Sequence, residues 1–285
     1  MKAILIPVLG ADDLPAVLPT ALLAGRRFGS YLEGLELYPA RPEQLVPAGL
    51  VNGLLFDSFE EKQREYRRRA QERFTVYMRG EGVPAAVAEA QDAAANGVVA
   101  RWRDDVLLSS DLIGAYGRLF DLLVLAQPSG HGAGGRMALL ETALFESGRP
   151  ILIAPPEPPA SLGRVAVIAW NGSTETARTL GFAIPFLRQA ERVVVLTVAD
   201  GEVPDAPRAG GVVHYLACHG IEATATHVPP HRRSVGEAML EEAAGLGADL
   251  LIKGAYTQSR LRQMIFGGAT RHIITAAALP VLMAH

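Results

Sequence analysis

Short apolar runs alternate along the chain with longer stretches in which apolar residues recur every three or four positions. The first pattern is typical of strands that are buried on both faces, and the second is typical of helices that cover a sheet. The apolar runs predict strands at residues 3–7, 31–37, 98–102, 122–126 and 151–154, and again at 165–169, 193–198, 223–228, 250–254 and 281–284. Right-handed crossovers between such strands place their carboxyl ends, and any ligand, along one edge of a sheet. The pattern therefore predicts an α/β fold.

Helix starts follow the strands in the second half of the chain. They are predicted near Ser173, Gly211, Ser234 and Gly268. Ser234 followed by Glu237 fits a capping box, in which each side chain accepts a backbone N–H at the start of the helix. In the first half, a charged run at residues 56–78 predicts a long helix, either a solvated cover of the core, which its composition favours, or a surface for a partner. Residues 85–95 fit a helix and a loop equally.

A repeat organises the chain, because three segments recur in the same order. The similar pairs are KAILIPVLG at 2–10 with RVAVIAWNG at 164–172, DLLVLAQ at 121–127 with DLLIKGA at 249–255, and RPILIA at 149–154 with LPVLMA at 279–284. A proline-rich stretch at 155–159 separates the two copies. The repeat predicts two domains, at residues 1–156 and 162–285.

Composition limits the classes of partner. The chain has 285 residues, of which 49% are hydrophobic, enough for two buried cores. A formal net charge of -3 gives no electrostatic attraction to nucleic acid or to an anionic membrane. Cys218 is the only cysteine, and His227 and His231 lack acidic neighbours, so neither a disulfide nor a metal site is predicted. No apolar run reaches the length of a membrane span and the first residues resemble a buried strand, so we expect a cytoplasmic protein.

The richest candidate chemistry lies between residues 250 and 285. An apolar strand ends at Gly254, and Gly267 and Gly268 open a helix further on. Such a segment can cradle a phosphate, because glycine lets the backbone approach closely and the first N–H groups of a helix lack internal partners. Lys253 precedes Gly254, and a side chain that extends to solvent is favoured over a phosphate contact. The motifs of phosphate loops, zinc proteases and serine hydrolases are absent, so no catalytic residue is predicted.

Several segments carry a resemblance to a known family. AWNGSTETARTL at 169–180, SVGEAMLEEAAGLGADLLIKGAY at 234–256 and SRLRQMIFGGATRHIITAAALPVLMAH at 259–285 resemble a universal stress protein domain. MKAILIPV, DLLVLAQP and ESGRPILIAPP resemble a diverged copy of the same domain. The resemblance implies two tandem Rossmann-like domains, each a five-stranded parallel sheet with helices on both faces, that pair through their last strands. It also leads us to expect that two chains associate as a homodimer.

The same resemblance implies an adenine-nucleotide site in the second domain. Nucleotide-binding members carry a glycine, two residues, a second glycine, nine residues, and a third glycine followed by serine or threonine. This chain keeps the first and third glycines but departs from the motif at Thr257, which is β-branched, and at Gly268, which offers no hydroxyl. The residues implied to line the site are Ala169, Trp170, Asn171, Val198, Gly254, Thr257, Gly267, Gly268 and Ala269.

Two positions of this comparison concern the base and the first domain. Asn171 stands where the family usually has an acidic residue; contact with a base or ribose and a turn that caps the next helix with Ser173 both fit an asparagine. In the first copy the same position is Leu9, which cannot form a side-chain hydrogen bond. The first domain is therefore interpreted as structural or regulatory.

Three functions follow from these observations. The first is a non-enzymatic stress-response protein whose second domain binds ATP, ADP or AMP. The second is a nucleotide-free module that acts through dimerisation, which the departures at Thr257 and Gly268 favour. The third is slow ATP hydrolysis, for which the sequence supplies no clear base.

Overall fold

The computed structural model describes residues 1–38, 53–86, 97–110, 112–130, 132–199, 208–255 and 268–285. These residues form two units, one of Met1–Ala126 with Gly134–Arg149 and the other of Gln127–Ala133 with Pro150–His285. The predicted repeat boundaries at residues 156 and 162 stay a prediction, because the units follow spatial contacts and not the repeat.

The first unit is built on a parallel sheet in the order β3-β2-β1-β4. Its strands are β1 (Ala3–Val8), β2 (Tyr31–Tyr38), β3 (Val99–Ser109) and β4 (Leu122–Ala126). Its helices are α1 (Leu14–Phe28), α2 (Gly53–Gly80), α3 (Ile113–Gly117) and α4 (Ala133–Glu146). The long helix predicted at residues 56–78 is thus present as α2, whereas most of the run at 85–95 lies outside the described residues.

The second unit has the strand order β5-β10-β9-β6-β7-β8. Its strands are β5 (Ile151–Ala154), β6 (Val165–Ala169), β7 (Arg192–Val198), β8 (Thr224–Val228), β9 (Leu250–Gly254) and β10 (Val281–Ala284). Its helices are α5 (Thr174–Leu187), α6 (Ala209–Cys218), α7 (Val235–Gly245) and α8 (Gly268–Ala276). β5, the strand predicted to end the first repeat, runs antiparallel to β10, whereas the neighbouring strands from β10 to β8 are parallel. The predicted α/β fold and the pairing of the last strands are both confirmed.

The same hydrogen-bond arrangement recurs in both units and supports the repeat. Asp121, just before β4, accepts the backbone N–H groups of Lys2 and Ala3 at the start of β1. Asp249, just before β9, accepts those of Arg164 and Val165 at the start of β6. In each unit an aspartate therefore fixes the start of one central strand beside the start of its neighbour.

A glycine determines how α2 packs on the first sheet. A Cβ on Gly34 would lie 2.7 Å from Phe74 Cε2 and 2.8 Å from Trp102 Cε3. The two rings, from α2 and β3, lie 5.3 Å apart between centroids. The inner face of this charged helix is thus set by aromatic packing over a strand position that has no side chain.

Candidate functional site

The carboxyl ends of β6, β7 and β9 lie side by side in the second unit, because these strands are parallel neighbours. Most of the predicted site residues lie there or at the start of a following helix. Ala169, Val198 and Gly254 end the three strands; Trp170 and Asn171 follow β6; and Gly268 and Ala269 open α8. Thr257 and Gly267 lie outside the described residues. We call this edge of the sheet, with the starts of α5 and α8, the C-terminal edge of the second unit.

Asn171 organises the start of α5. Its Oδ1 accepts the backbone N–H of Ser173 at 3.2 Å and the hydroxyl of Thr176 at 2.6 Å. Ser173 is the N-cap residue, and its Oγ accepts the backbone N–H of Thr176 at 3.2 Å. Because both bonds need the amide oxygen, the amide nitrogen of this exposed side chain points elsewhere and can donate to a ligand. The capping role is what the structure shows for Asn171.

Gly254 brings the start of α5 against the end of β9. A Cβ at this position would lie 2.3 Å from the backbone nitrogen of Thr176 and 2.6 Å from the carbonyl carbon of Glu175. The sequence interpretation explained this glycine by the close approach of a phosphate. In the structure, the close approach is that of the first turn of α5, and only glycine leaves room for it.

The sequence favoured a Lys253 side chain that extends to solvent, but in the structure this side chain is buried. The residue is only 8% exposed, and its Nζ donates to the carbonyl of Gly254 at 2.9 Å and to Oγ1 of Thr270 at 3.0 Å. Burial lowers the pKa of its ammonium group to about 8. The expectation was wrong because α8, which carries Thr270, covers the end of β9 on the side from which Lys253 projects.

Two local features fix the start of α7 and its packing on α8. The predicted capping box is present, with Ser234 Oγ accepting the N–H of Glu237 and the Glu237 carboxylate accepting the N–H of Ser234. In the first turn of α7, a Cβ on Gly236 would lie 3.0 Å from the carbonyl oxygen of Ala269 and 3.1 Å from its Cα. The first turn of α7 therefore packs directly on the first turn of α8. By contrast, a Cβ on Gly268 would meet no atom of the described chain within 4 Å.

Thr197 is a candidate that the sequence interpretation missed. Its Oγ1 is buried and has no hydrogen-bond partner among the described residues. Thr197 lies next to Val198 at the end of β7, within the C-terminal edge. The signal was a single hydroxyl in the otherwise apolar run VVVLTV, but a threonine in a strand is ordinary and carried no weight alone.

Comparison with known proteins assigns residues 164–285 to a family. The universal stress protein family matches residues 164–285, from the residue before β6 onward. Residues 164–285 are a universal stress protein domain. No curated protein gives a significant match to the sequence.

Solved structures extend the likeness to the whole chain. A universal stress protein from Archaeoglobus fulgidus DSM 4304 is 14% identical, with 99% of this chain and 96% of that chain covered at a TM-score of 0.68. A functionally unknown protein from Pseudomonas aeruginosa PAO1 is 13% identical, with 100% and 92% covered at a TM-score of 0.51. At these identities the likeness shows a shared fold and nothing about ligands.

The first unit has a different arrangement at the corresponding edge. Asp13 accepts the backbone N–H of Leu9 at 2.9 Å and forms an ion pair with Arg136 at 2.6 Å, and both side chains are mostly buried. Arg73 on α2 donates to the carbonyl of Ala11 in the same loop at 3.0 Å. Side chains of the first unit thus hold its loop after β1, where the universal stress protein domain has Trp170 and Asn171.

Metal-binding clusters and membrane-spanning helices are both absent from the described residues. No group of three or more histidine, cysteine, aspartate or glutamate residues among them is placed to hold a metal ion. Within the same residues, no helix is both long enough and apolar enough to cross a membrane. The exposed Cys218 lies 3.9 Å from His214 Nε2, so the two residues of α6 share one helix face.

Proposed function

We propose that the universal stress protein domain binds an adenine nucleotide, ATP, ADP or AMP, at its C-terminal edge and acts without catalysing a reaction. Ligands of open α/β sheets bind outside the carboxyl ends of the strands, which is where β6, β7 and β9 converge. Apolar side chains for a base, hydrogen-bonding groups for a ribose and a helix start for a phosphate all belong to this edge. The residues present therefore fit an adenine nucleotide.

The buried hydroxyl of Thr197 carries the proposal. A buried polar atom without a partner costs about 1–3 kcal/mol, and a ligand that supplies the missing hydrogen bond removes that cost. Thr197 is the neighbour of Val198, which the family resemblance implies to line the nucleotide site. A ligand group that reaches Thr197 at this position would satisfy the hydroxyl.

Calorimetric titration of nucleotide-stripped protein with ATP, ADP and AMP tests the proposal, with GTP as the comparison ligand. We expect saturable binding of one adenine nucleotide per chain and weaker binding of GTP. Thr197→Val keeps the shape of the side chain and removes the hydroxyl, so it should weaken ATP binding by about three- to tenfold. Absence of saturable binding at millimolar nucleotide would rule the proposal out.

The two departures from the family motif give a second test. If Thr257 and Gly268 only weaken the phosphate contacts, Thr257→Gly combined with Gly268→Ser should tighten ATP binding. An unchanged affinity would count against the placement of the phosphates at the start of α8.

The nucleotide-free alternative has an observation of its own. Asn171 and Gly254 are both accounted for by the packing and capping of α5, without any ligand. If the titration shows no binding, a dimerisation module is the remaining proposal. Mass measurement in solution would then have to show a dimer, and incubation with labelled ATP would have to show no turnover above a buffer control.

A further inference from the structure

Lys253 carries a buried positive charge that no carboxylate balances among the described residues. Its ammonium group has two hydrogen-bond partners, a backbone carbonyl and a neutral hydroxyl. Burial alone accounts for the lowered pKa, with no charged group contributing. The sequence at 256–267, which follows β9, contains no aspartate and no glutamate. No described carboxylate therefore balances Lys253, and the sequence that directly follows β9 adds none.

The start of α8 adds positive potential next to this charge. Thr270, which accepts a hydrogen bond from Lys253, is the third residue of the helix. The first N–H groups of a helix point outward unpaired and act as a partial positive charge. No acidic residue lies in the first turn of α8. The buried ammonium group of Lys253 thus adjoins a second source of positive potential, and an anion that reaches both would be stabilised by both.

A purely structural role does not explain the charge. The two hydrogen bonds that Lys253 gives to the Gly254 carbonyl and to Thr270 need only an N–H donor. A neutral amide side chain at this position could supply one at a lower desolvation cost than an ammonium group. An ammonium group has three N–H donors, of which two are used here. When Lys253 donates to the oxygen of Thr270, the hydrogen of that hydroxyl is left to donate to another acceptor.

We propose that Lys253, together with the hydroxyl of Thr270, binds a phosphate group of the ligand and replaces the hydroxyl that Gly268 lacks. The inference rests on the proposed nucleotide site and specifies it: the ligand is a phosphorylated nucleotide, and a nucleoside without phosphate gains nothing from Lys253. The same chemistry makes inorganic tripolyphosphate a ligand in its own right.

Substitution of Lys253 is the first test, by calorimetry with ATP, tripolyphosphate and adenosine. Lys253→Met should weaken the binding of ATP and of tripolyphosphate by about 10- to 100-fold, since a hydrogen bond to a charged group is lost. Adenosine affinity should stay the same. Lys2→Met in the first unit removes one equal charge far along the chain and should leave all three affinities unchanged. Equal ATP affinity in Lys253→Met and wild-type protein overturns the inference and leaves the proposed nucleotide function standing.

A measurement on the unaltered chain covers the case in which Lys253→Met does not fold. The protein has three lysines, Lys2, Lys62 and Lys253, so ¹³C-lysine labelling gives three Cε signals to follow by NMR. Saturating tripolyphosphate should raise the pKa of Lys253 by one unit or more, because an anion stabilises the ammonium form. An unchanged pKa at saturation, or no effect of tripolyphosphate at any concentration, overturns the inference. A raised pKa without any preference for adenine nucleotides supports the phosphate site and rejects the adenine part of the proposed function.

Discussion

Replacing Gly254 by alanine tests whether α5 packs directly on the end of β9. The new Cβ would lie 2.3 Å from the Thr176 nitrogen and 2.6 Å from the Glu175 carbonyl carbon. Unbonded carbon atoms settle about 3.5–4.0 Å apart, so the first turn of α5 has to move by about 1 Å. The obstructing atoms belong to the backbone and cannot rotate away as a side chain would.

The expected loss in the free energy of unfolding is about 3 kcal/mol. Overpacking of a filled site costs about 1–3 kcal/mol, and the upper end applies because the backbone of a helix has to shift. The same shift disturbs the hydrogen bond between Thr176 and Asn171, which is 2.6 Å long. Both terms act on the second unit.

Urea unfolding followed by tryptophan fluorescence measures this loss unit by unit. The chain has two tryptophans, and Trp102 lies in the first unit while Trp170 lies in the second. In a Trp102→Phe background the signal reports the second unit alone. Gly181→Ala is the matched control, because a Cβ there meets no atom within 4 Å and alanine favours a helix interior by about 0.5–1 kcal/mol. A Gly254→Ala variant within 0.5 kcal/mol of wild type would refute the packing argument.

Three other substitutions have defined outcomes by urea unfolding. Gly34→Ala should destabilise the first unit by about 1–3 kcal/mol, as its Cβ would lie 2.7 Å from the Phe74 ring; an unchanged Trp102 transition would contradict this. Ser234→Ala should cost the second unit about 1 kcal/mol, since the capping box is lost, and a loss below 0.3 kcal/mol would argue against it. Burial raises the pKa of the Glu36 carboxyl from 4.5 to about 7, against the lowering effect of Arg67. Between these values the folded chain keeps a proton that the unfolded chain releases, so the free energy of unfolding falls as the pH rises. Glu36→Gln should remove about 1–2 kcal/mol of the fall between pH 5 and 8, and an identical pH dependence in both proteins would show the shift to be absent.

Strand positions could be predicted from the sequence where both faces of a strand are buried. The runs at 122–126, 151–154, 165–169, 250–254 and 281–284 coincide with observed strands, because apart from Lys253 nothing polar interrupts them. β3 continues to Ser109, past the predicted end at residue 102. Its later part includes Arg103 and Asp104, and it lies at the outer end of the strand order of the first unit, so its residues need not be apolar.

The helix starts could be predicted because their signals are local. Ser173 and Ser234 are N-cap residues in the structure, as expected from the spacing of the side chains that follow them. The environments of Lys253 and Thr197 could not be predicted in the same way. Which element covers a side chain depends on residues distant in sequence, such as Thr270 on α8.

The reason for Gly254 was also beyond a local reading. A glycine at a strand end fits a phosphate-binding turn and a close helix contact equally well in sequence. Only the position of Thr176 relative to β9 distinguishes them. The family resemblance therefore anticipated which residues converge at the C-terminal edge better than it anticipated what each of them contacts.

A crystal structure of the chain grown with ATP tests the central claim most directly. We predict density for one nucleotide at the C-terminal edge of the second unit, with adenine against Val198, a ligand atom hydrogen-bonded to Thr197 Oγ1, and a phosphate within hydrogen-bond distance of Lys253 Nζ. Crystals grown at millimolar ATP that show no nucleotide at this edge, or a nucleotide bound only at the first unit, would contradict it.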